Sequence, residues 1–132
     1  MLLETAARNA ACNAIVDLPD AGTAAGALEF KTAAGTSVRA NGQVCTMTLN
    51  NPAFGAAATG VATLDVTPSI QDTSADGGTA TKAYFYDSAN NPYFAGSVGT
   101  TATDIIMSNN VIGAGDTVTI TSLTVTVPAG AI

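Results

Sequence analysis

The chain contains no histidine and no tryptophan, and only 11% of its 132 residues are charged. Without imidazole there is no side chain that titrates near neutrality in its ordinary state, and none of the nitrogen ligands on which many metal sites depend. Four basic against ten acidic residues give a net charge of −6 and a pI near 4.1, which argues against nucleic acid as a partner, because phosphate backbones are held by positive charge. No run approaches the ~18 apolar residues of a membrane span. Met1-Leu2-Leu3 is followed by Glu4 and Arg8, without the basic start and sustained apolar stretch of a secretory signal. The expectation is a chain made and kept in a cytoplasm until assembly or lysis. Cysteine is scarce too: Cys12 and Cys45 have no C-x-x-C spacing and are expected as buried free thiols.

Apolar residues are plentiful, at 47% with a mean hydropathy of +0.32, which excludes disorder by composition. The length suits one domain, residues 1–132, with a real core. A globular chain ordinarily has about a quarter of its residues charged. Here Thr, Ser, Asn and Gly supply most of the polarity, and an uncharged surface of that kind suits packing against other protein.

A helix is expected over about residues 3–18, where Leu3, Ala7, Ala10, Ala14 and Leu18 recur at three- and four-residue spacing. Glu4 and Arg8 stand at i,i+4 in the favourable order, and Pro19 with Gly22 supplies the stop. The stripe is narrow and rich in alanine, so the helix is expected to dock on something else. Beyond Gly26 the period changes to two. Leu28 and Phe30 alternate with Glu29 and Lys31; Cys45, Met47 and Leu49 with Thr46 and Thr48; Ala62, Leu64 and Val66 with Thr63 and Asp65. Each pattern reads as a strand with one apolar and one polar face. Further strands are expected in residues 80–87, 93–98, 104–107 and 117–127, with turns at Asn41-Gly42, Asn50-Asn51-Pro52, Asp76-Gly77-Gly78, Asn90-Asn91-Pro92, Asn109-Asn110 and Gly113-Ala114-Gly115. In the last segment Val118 and Ile120 occupy one parity and Leu123, Val125 and Val127 the other. That slip predicts a bulge or bend near Thr121-Ser122 where the strand changes sheets, or two short strands. The fold expected is mainly β: an antiparallel two-sheet β-sandwich, jelly-roll-like, with one N-terminal α-helix.

Candidate chemistry is sparse. Asp72-Thr73-Ser74-Ala75-Asp76-Gly77 resembles the first half of a calcium loop, but Ala83 stands where that pattern needs a bidentate Glu, and a turn of Asx type explains it as well. Serines have no base to activate them, and Cys12 has no cationic neighbour beyond Arg8. Asp65, Asp87, Asp104 and Asp116 read as turn or solvent-facing positions, not as a carboxylate pair for glycoside hydrolysis. No catalytic residues, metal or cofactor are expected, and the protein reads as a non-enzyme. Five of the seven aromatics fall in Tyr84, Phe85, Tyr86, Tyr93 and Phe94. Alternation sends Phe85 to the core and Tyr84 with Tyr86 to the other face, where they serve either as cross-strand pairs or as a contact surface for protein or glycan.

The segments Thr5-Ala6-Ala7-Arg8-Asn9-Ala10-Ala11-Cys12, Ala14-Ile15-Val16-Asp17-Leu18, Asn51-Pro52-Ala53-Phe54-Gly55, Gly60-Val61-Ala62-Thr63, Asp72-Thr73-Ser74-Ala75-Asp76, Gly96-Ser97-Val98-Gly99-Thr100 and the ending from Thr119 to Gly130 together resemble a group of small virion proteins of tailed bacteriophages, over nearly the whole chain. Residues 32–44 depart from that pattern. Proteins of this size and β content in such phages resemble head decoration, or cement, proteins. The resemblance implies a capsid-exterior location, the major capsid protein as partner, and a homo-oligomer, trimer or dimer. A tail or fibre component contacting a host surface or another tail protein is the alternative. The contact residues expected are Leu2 and Leu3 in an N-terminal arm and Tyr84, Tyr86 and Tyr93 on the sheet; neither nucleic acid nor membrane is expected.

Overall fold

The computed structural model describes residues 1–130 and is mainly β, with one N-terminal helix. The strands are β1 (Ala27–Lys31), β2 (Gln43–Thr48), β3 (Val61–Thr63), β4 (Ile70–Asp72), β5 (Gly78–Thr79), β6 (Lys82–Tyr86), β7 (Pro92–Gly99), β8 (Ile105–Ile106), β9 (Val111–Ile112), β10 (Val118–Ile120) and β11 (Thr124–Thr126). Five of them form one curled sheet in the order β2-β1-β6-β7-β8; the rest pair as β4–β10, β3–β11 and β5–β9. Pairing is antiparallel except between β7 and β8, which run parallel. The strands β4, β5 and β9 were not anticipated, because two or three residues do not establish a period.

The core forms where alternation places it on β1, β2 and β6. Leu28 lies opposite Met47 and Phe85, and Phe30 opposite Cys45 and Ala83; all are buried. Ala62, Leu64, Ile70 and Val118 complete the cluster from the two-stranded ladders. Phe85 stacks on Phe94 with ring centroids 4.4 Å apart and meets Phe54 at 5.9 Å. Cys12 and Cys45 are both free and buried. Burial and the nearby Asp72 carboxylate push the Cys45 thiol up to about 12. The final segment breaks where its parity slips: β10 joins β4, β11 joins β3, and residues 121–123 make the passage.

Two expectations are corrected. The helix α1 spans Thr5–Val16, shorter than 3–18, because Pro19 has no N–H to continue the α-helical ladder and Leu18–Asp20 close a single 3-10 turn instead. Its docking face is also different. Ala7, Ala10 and Ala14 face outward, whereas Cys12 and Val16 are buried beside the half-buried Arg8, Asn9 and Asn13. Polar groups on this face bind backbone: Asn9 Oδ1 accepts from Gly60 N–H and Asn13 Oδ1 from Ala57 N–H, both at 2.8 Å, and Arg8 Nε donates to Val127 C=O at 2.9 Å. Hydrogen bonds to strand ends thus outweigh the small area an alanine stripe could bury.

The second correction concerns β1, whose five residues are all buried. Glu29 and Lys31 do lie on the face opposite Leu28 and Phe30, but solvent does not reach that face.

Candidate functional site

The segment between β1 and β2 folds back over Glu29 and Lys31. Lys31 Nζ donates to Glu29 Oε1 at 2.7 Å and to the carbonyls of Val38 and Asn41, both at 2.9 Å, which matches the three donors of an ammonium group. Glu29 also accepts from Ala40 N–H at 2.6 Å and from Arg39 Nε. Arg39 reaches on to Thr46 Oγ1 at 2.9 Å and Asn90 Oδ1 at 3.0 Å, tying the segment to β2 and to the β6–β7 turn. Its two ends cross at Gly35 and Gly42. Gly42 has φ +63°, and a Cβ there would run into the Gly35 backbone, so only glycine fits. Alternation could not reveal this cover, because residues 32–42 carry no periodic signal that says where they fold.

The tyrosines are separated by the same cover. Tyr86 is fully buried, beneath Lys31 Nζ at 5.6 Å and the Arg39 guanidinium at 5.4 Å from its ring centroid. Its hydroxyl has no hydrogen-bond partner among the described residues, and burial raises its pKa. The expected role of Tyr86 as an exposed contact residue is therefore corrected: the β1–β2 segment occupies the space in front of it. Tyr84 is half-buried and Tyr93 is 38% exposed; with Ser37 and Pro92 they line a shallow depression of about 320 Å³. Tyr93 is held in place, its hydroxyl donating to Asp87 Oδ2 at 2.9 Å, and that bond raises its pKa. Asp87 accepts as well from Asn91 Nδ2 and from the backbone N–H groups of Ala89 and Asn91, led by the bonds to Asn91, which hold its pKa below the usual carboxylate range.

The N-terminal arm lies elsewhere. Leu2 is 78% exposed, while Leu3 is half-buried and its N–H donates to Ala129 C=O at 2.8 Å. The arm thus leads into the outward alanine face of α1, at the end of the molecule where the helix docks on β11. Leu2 and Leu3 belong to this surface and Tyr84 and Tyr93 to the outer face of the five-stranded sheet.

The acidic residues other than the exposed Glu4 and Asp17 are engaged within the fold. Asp72 accepts from Thr46 N–H and Ser74 N–H, both at 2.9 Å, so the calcium-like segment is a turn clipped to β2. Asp76 accepts from the Gln43 side chain at 2.8 Å. Backbone N–H groups also occupy carboxylate oxygens of Asp20, Asp65, Asp104 and Asp116. Bonding to the Ser97 backbone and hydroxyl lowers the Asp104 pKa; burial raises that of Asp20. Among the described residues no cluster of three His, Cys, Asp or Glu is arranged to hold a metal ion, and no helix is long and apolar enough to cross a membrane. No protein-family model matches the chain, and neither a curated protein nor a solved structure matches it.

Proposed function

We propose that this chain is a non-enzymatic structural protein of a tailed-bacteriophage virion, a head decoration protein that binds the capsid exterior and stabilises contacts between major capsid subunits. One contrast supports the reading. Acidic side chains that could carry chemistry are mostly engaged in holding turns and loops, while the outward surface presents Met1, Leu2 and the alanine face of α1, with side-chain charge only at its two ends, Glu4 and Asp17. Such a surface docks on protein at little desolvation cost. Many weak identical contacts, repeated over a shell, sum to a large stabilisation. Closed self-association, as a trimer or dimer around a local symmetry axis, belongs to the same proposal. So does the two-sheet, jelly-roll-like sandwich, with the five-stranded sheet as one layer and the β3–β11 and β4–β10 ladders as parts of the second. Synthesis takes place in the host cytoplasm before assembly.

A tail- or fibre-associated role is the second reading, favoured by the Tyr84–Tyr93 depression, since half-exposed tyrosines are common in contacts with protein and glycan. Cryo-electron microscopy of purified particles of the encoding phage, averaging heads and tails separately, tests both. Density at capsid subunit junctions is the expected result. Density confined to the tail replaces the first reading with the second, and absence from the particle overturns both.

A further inference from the structure

The two edges of the five-stranded sheet are finished differently. Along β2 the outer edge is covered: Thr46 N–H is held by Asp72, and Asp76 and Gly77 donate their N–H groups to Val44 C=O at 2.9 and 3.1 Å. On the opposite side β8 pairs only with Val98 and Gly99 of β7, and Asp104 takes the N–H of Ser97. N-terminal to these residues no strand among the described residues pairs with the β7 edge. Val98 N–H donates to Thr81 C=O on the β6 side, whereas Gly99 C=O accepts from Met107 on the β8 side. Backbone groups in a strand point alternately to its two sides, so Ala95 directs its N–H and C=O away from β6, over that edge.

The same parity applies to β11. Leu64 N–H donates to Leu123 C=O and Val127 N–H to Gly60 C=O, so Thr124 and Thr126 turn their backbone groups away from β3. The residues of both edges line one open groove of about 490 Å³, together with Phe85, Phe94, Leu123 and Val125. Asp104 is the only charged residue in that lining, and its Oδ2 is engaged by Ser97. Among the described residues no segment of this chain is placed to fill the groove. The one extended apolar arm, Met1–Leu3, is fastened to Ala129.

We infer that this groove receives one extended strand of a different protein, hydrogen-bonded on one side to Ala95 and on the other to Thr124 and Thr126. Unpaired edges over an apolar floor are the setting for strand addition. The floor selects apolar side chains at alternate positions. The net charge of −6, with Asp104 at the groove and no cation in its lining, selects against acidic strands and for neutral or basic ones. The inference does not depend on the virion reading, and the following experiment needs no particle.

The probe is a blocked heptapeptide of alternating threonine and valine ending in lysine, titrated into the isotope-labelled full chain and followed by amide NMR. Saturable shifts are expected at Ala95, Thr124 and Thr126, and a peptide with glutamate in place of the valines should leave them unmoved. Ala95→Pro and Thr126→Pro each remove one outward N–H and should each weaken binding roughly tenfold. If either variant loses its native spectrum, slowed hydrogen exchange at the three wild-type amides on adding peptide decides instead. No saturable shift, equal binding by a folded proline variant, or sedimentation showing a dimer that already protects Ala95 would overturn the inference.

Discussion

Lys31 and Glu29 are charged groups with no solvent exposure, which makes them sensitive to substitution. A buried ion pair gains little over apolar residues of the same shape, but removing one partner leaves the other uncompensated. Glu29→Leu should therefore destabilise the fold by about 3–5 kcal/mol, because it leaves the Lys31 ammonium buried with no carboxylate, and Lys31→Met should cost less, because Arg39 still pairs with Glu29; urea unfolding of the two variants checks both. Asp87 and Asp104 act through pH. Their folded pKa values lie below the ordinary carboxylate value, so their contribution is fully present above about pH 4 and is lost as pH falls through the folded values. Replacing both with Asn should flatten the fall in Tm below that pH. The Cys45 thiol, raised to about 12, should resist thiol reagents at pH 8 until the protein is unfolded.

At the scale of the element, α1 is held by the side that the sequence pattern does not favour. Asn9→Ala and Asn13→Ala each leave a backbone N–H without its acceptor and should cost about 1–3 kcal/mol. Ala10→Ser and Ala14→Ser, on the outward face, should stay within about 0.5 kcal/mol. Chemical denaturation of the four variants distinguishes this arrangement from the alanine-stripe docking that periodicity predicts. Helix existence was legible because Leu3–Leu18 has helical spacing and a Pro19 stop. Its orientation was not, because Asn9 and Asn13 are read as solvent-facing unless the carboxy ends of β11 and the 57–60 turn are known to lie beside them. The β1–β2 segment shows the same limit: Glu29 and Lys31 alternate correctly, yet their burial depends on a cover without periodicity.

For the whole molecule, α1 closes one end of the core through Cys12 and Val16 and ties together residues 57–60 and β11. Deleting residues 1–18 should lower Tm sharply or prevent folding, in contrast to single changes at exposed Thr or Asp residues; circular dichroism on heating is the measurement. If the truncated chain folds, the proposed decoration role predicts that it fails to appear on assembled particles. The outward surface at this scale is weakly charged because composition leaves few charges to place, and several of those are engaged inside. Glu29, Lys31 and Asp87 are buried.

What the sequence determined by itself was the class of structure: one helix followed by strands of period two, the apolar faces of β1, β2 and β6, the turns at Asn41-Gly42 and Gly113-Ala114-Gly115, and the break near Thr121-Ser122. Each of these follows from local chemistry, because period, glycine, proline and parity act over a few neighbouring residues. Tertiary structure alone decided which face α1 presents, that Tyr86 lies beneath Lys31 and Arg39 while Tyr84 and Tyr93 remain near the surface, and that the sheet is closed at β2 but open along β7. These depend on pairing between residues far apart in the chain. An exposed and a covered strand edge have the same alternation, and only the neighbour that does or does not arrive separates them.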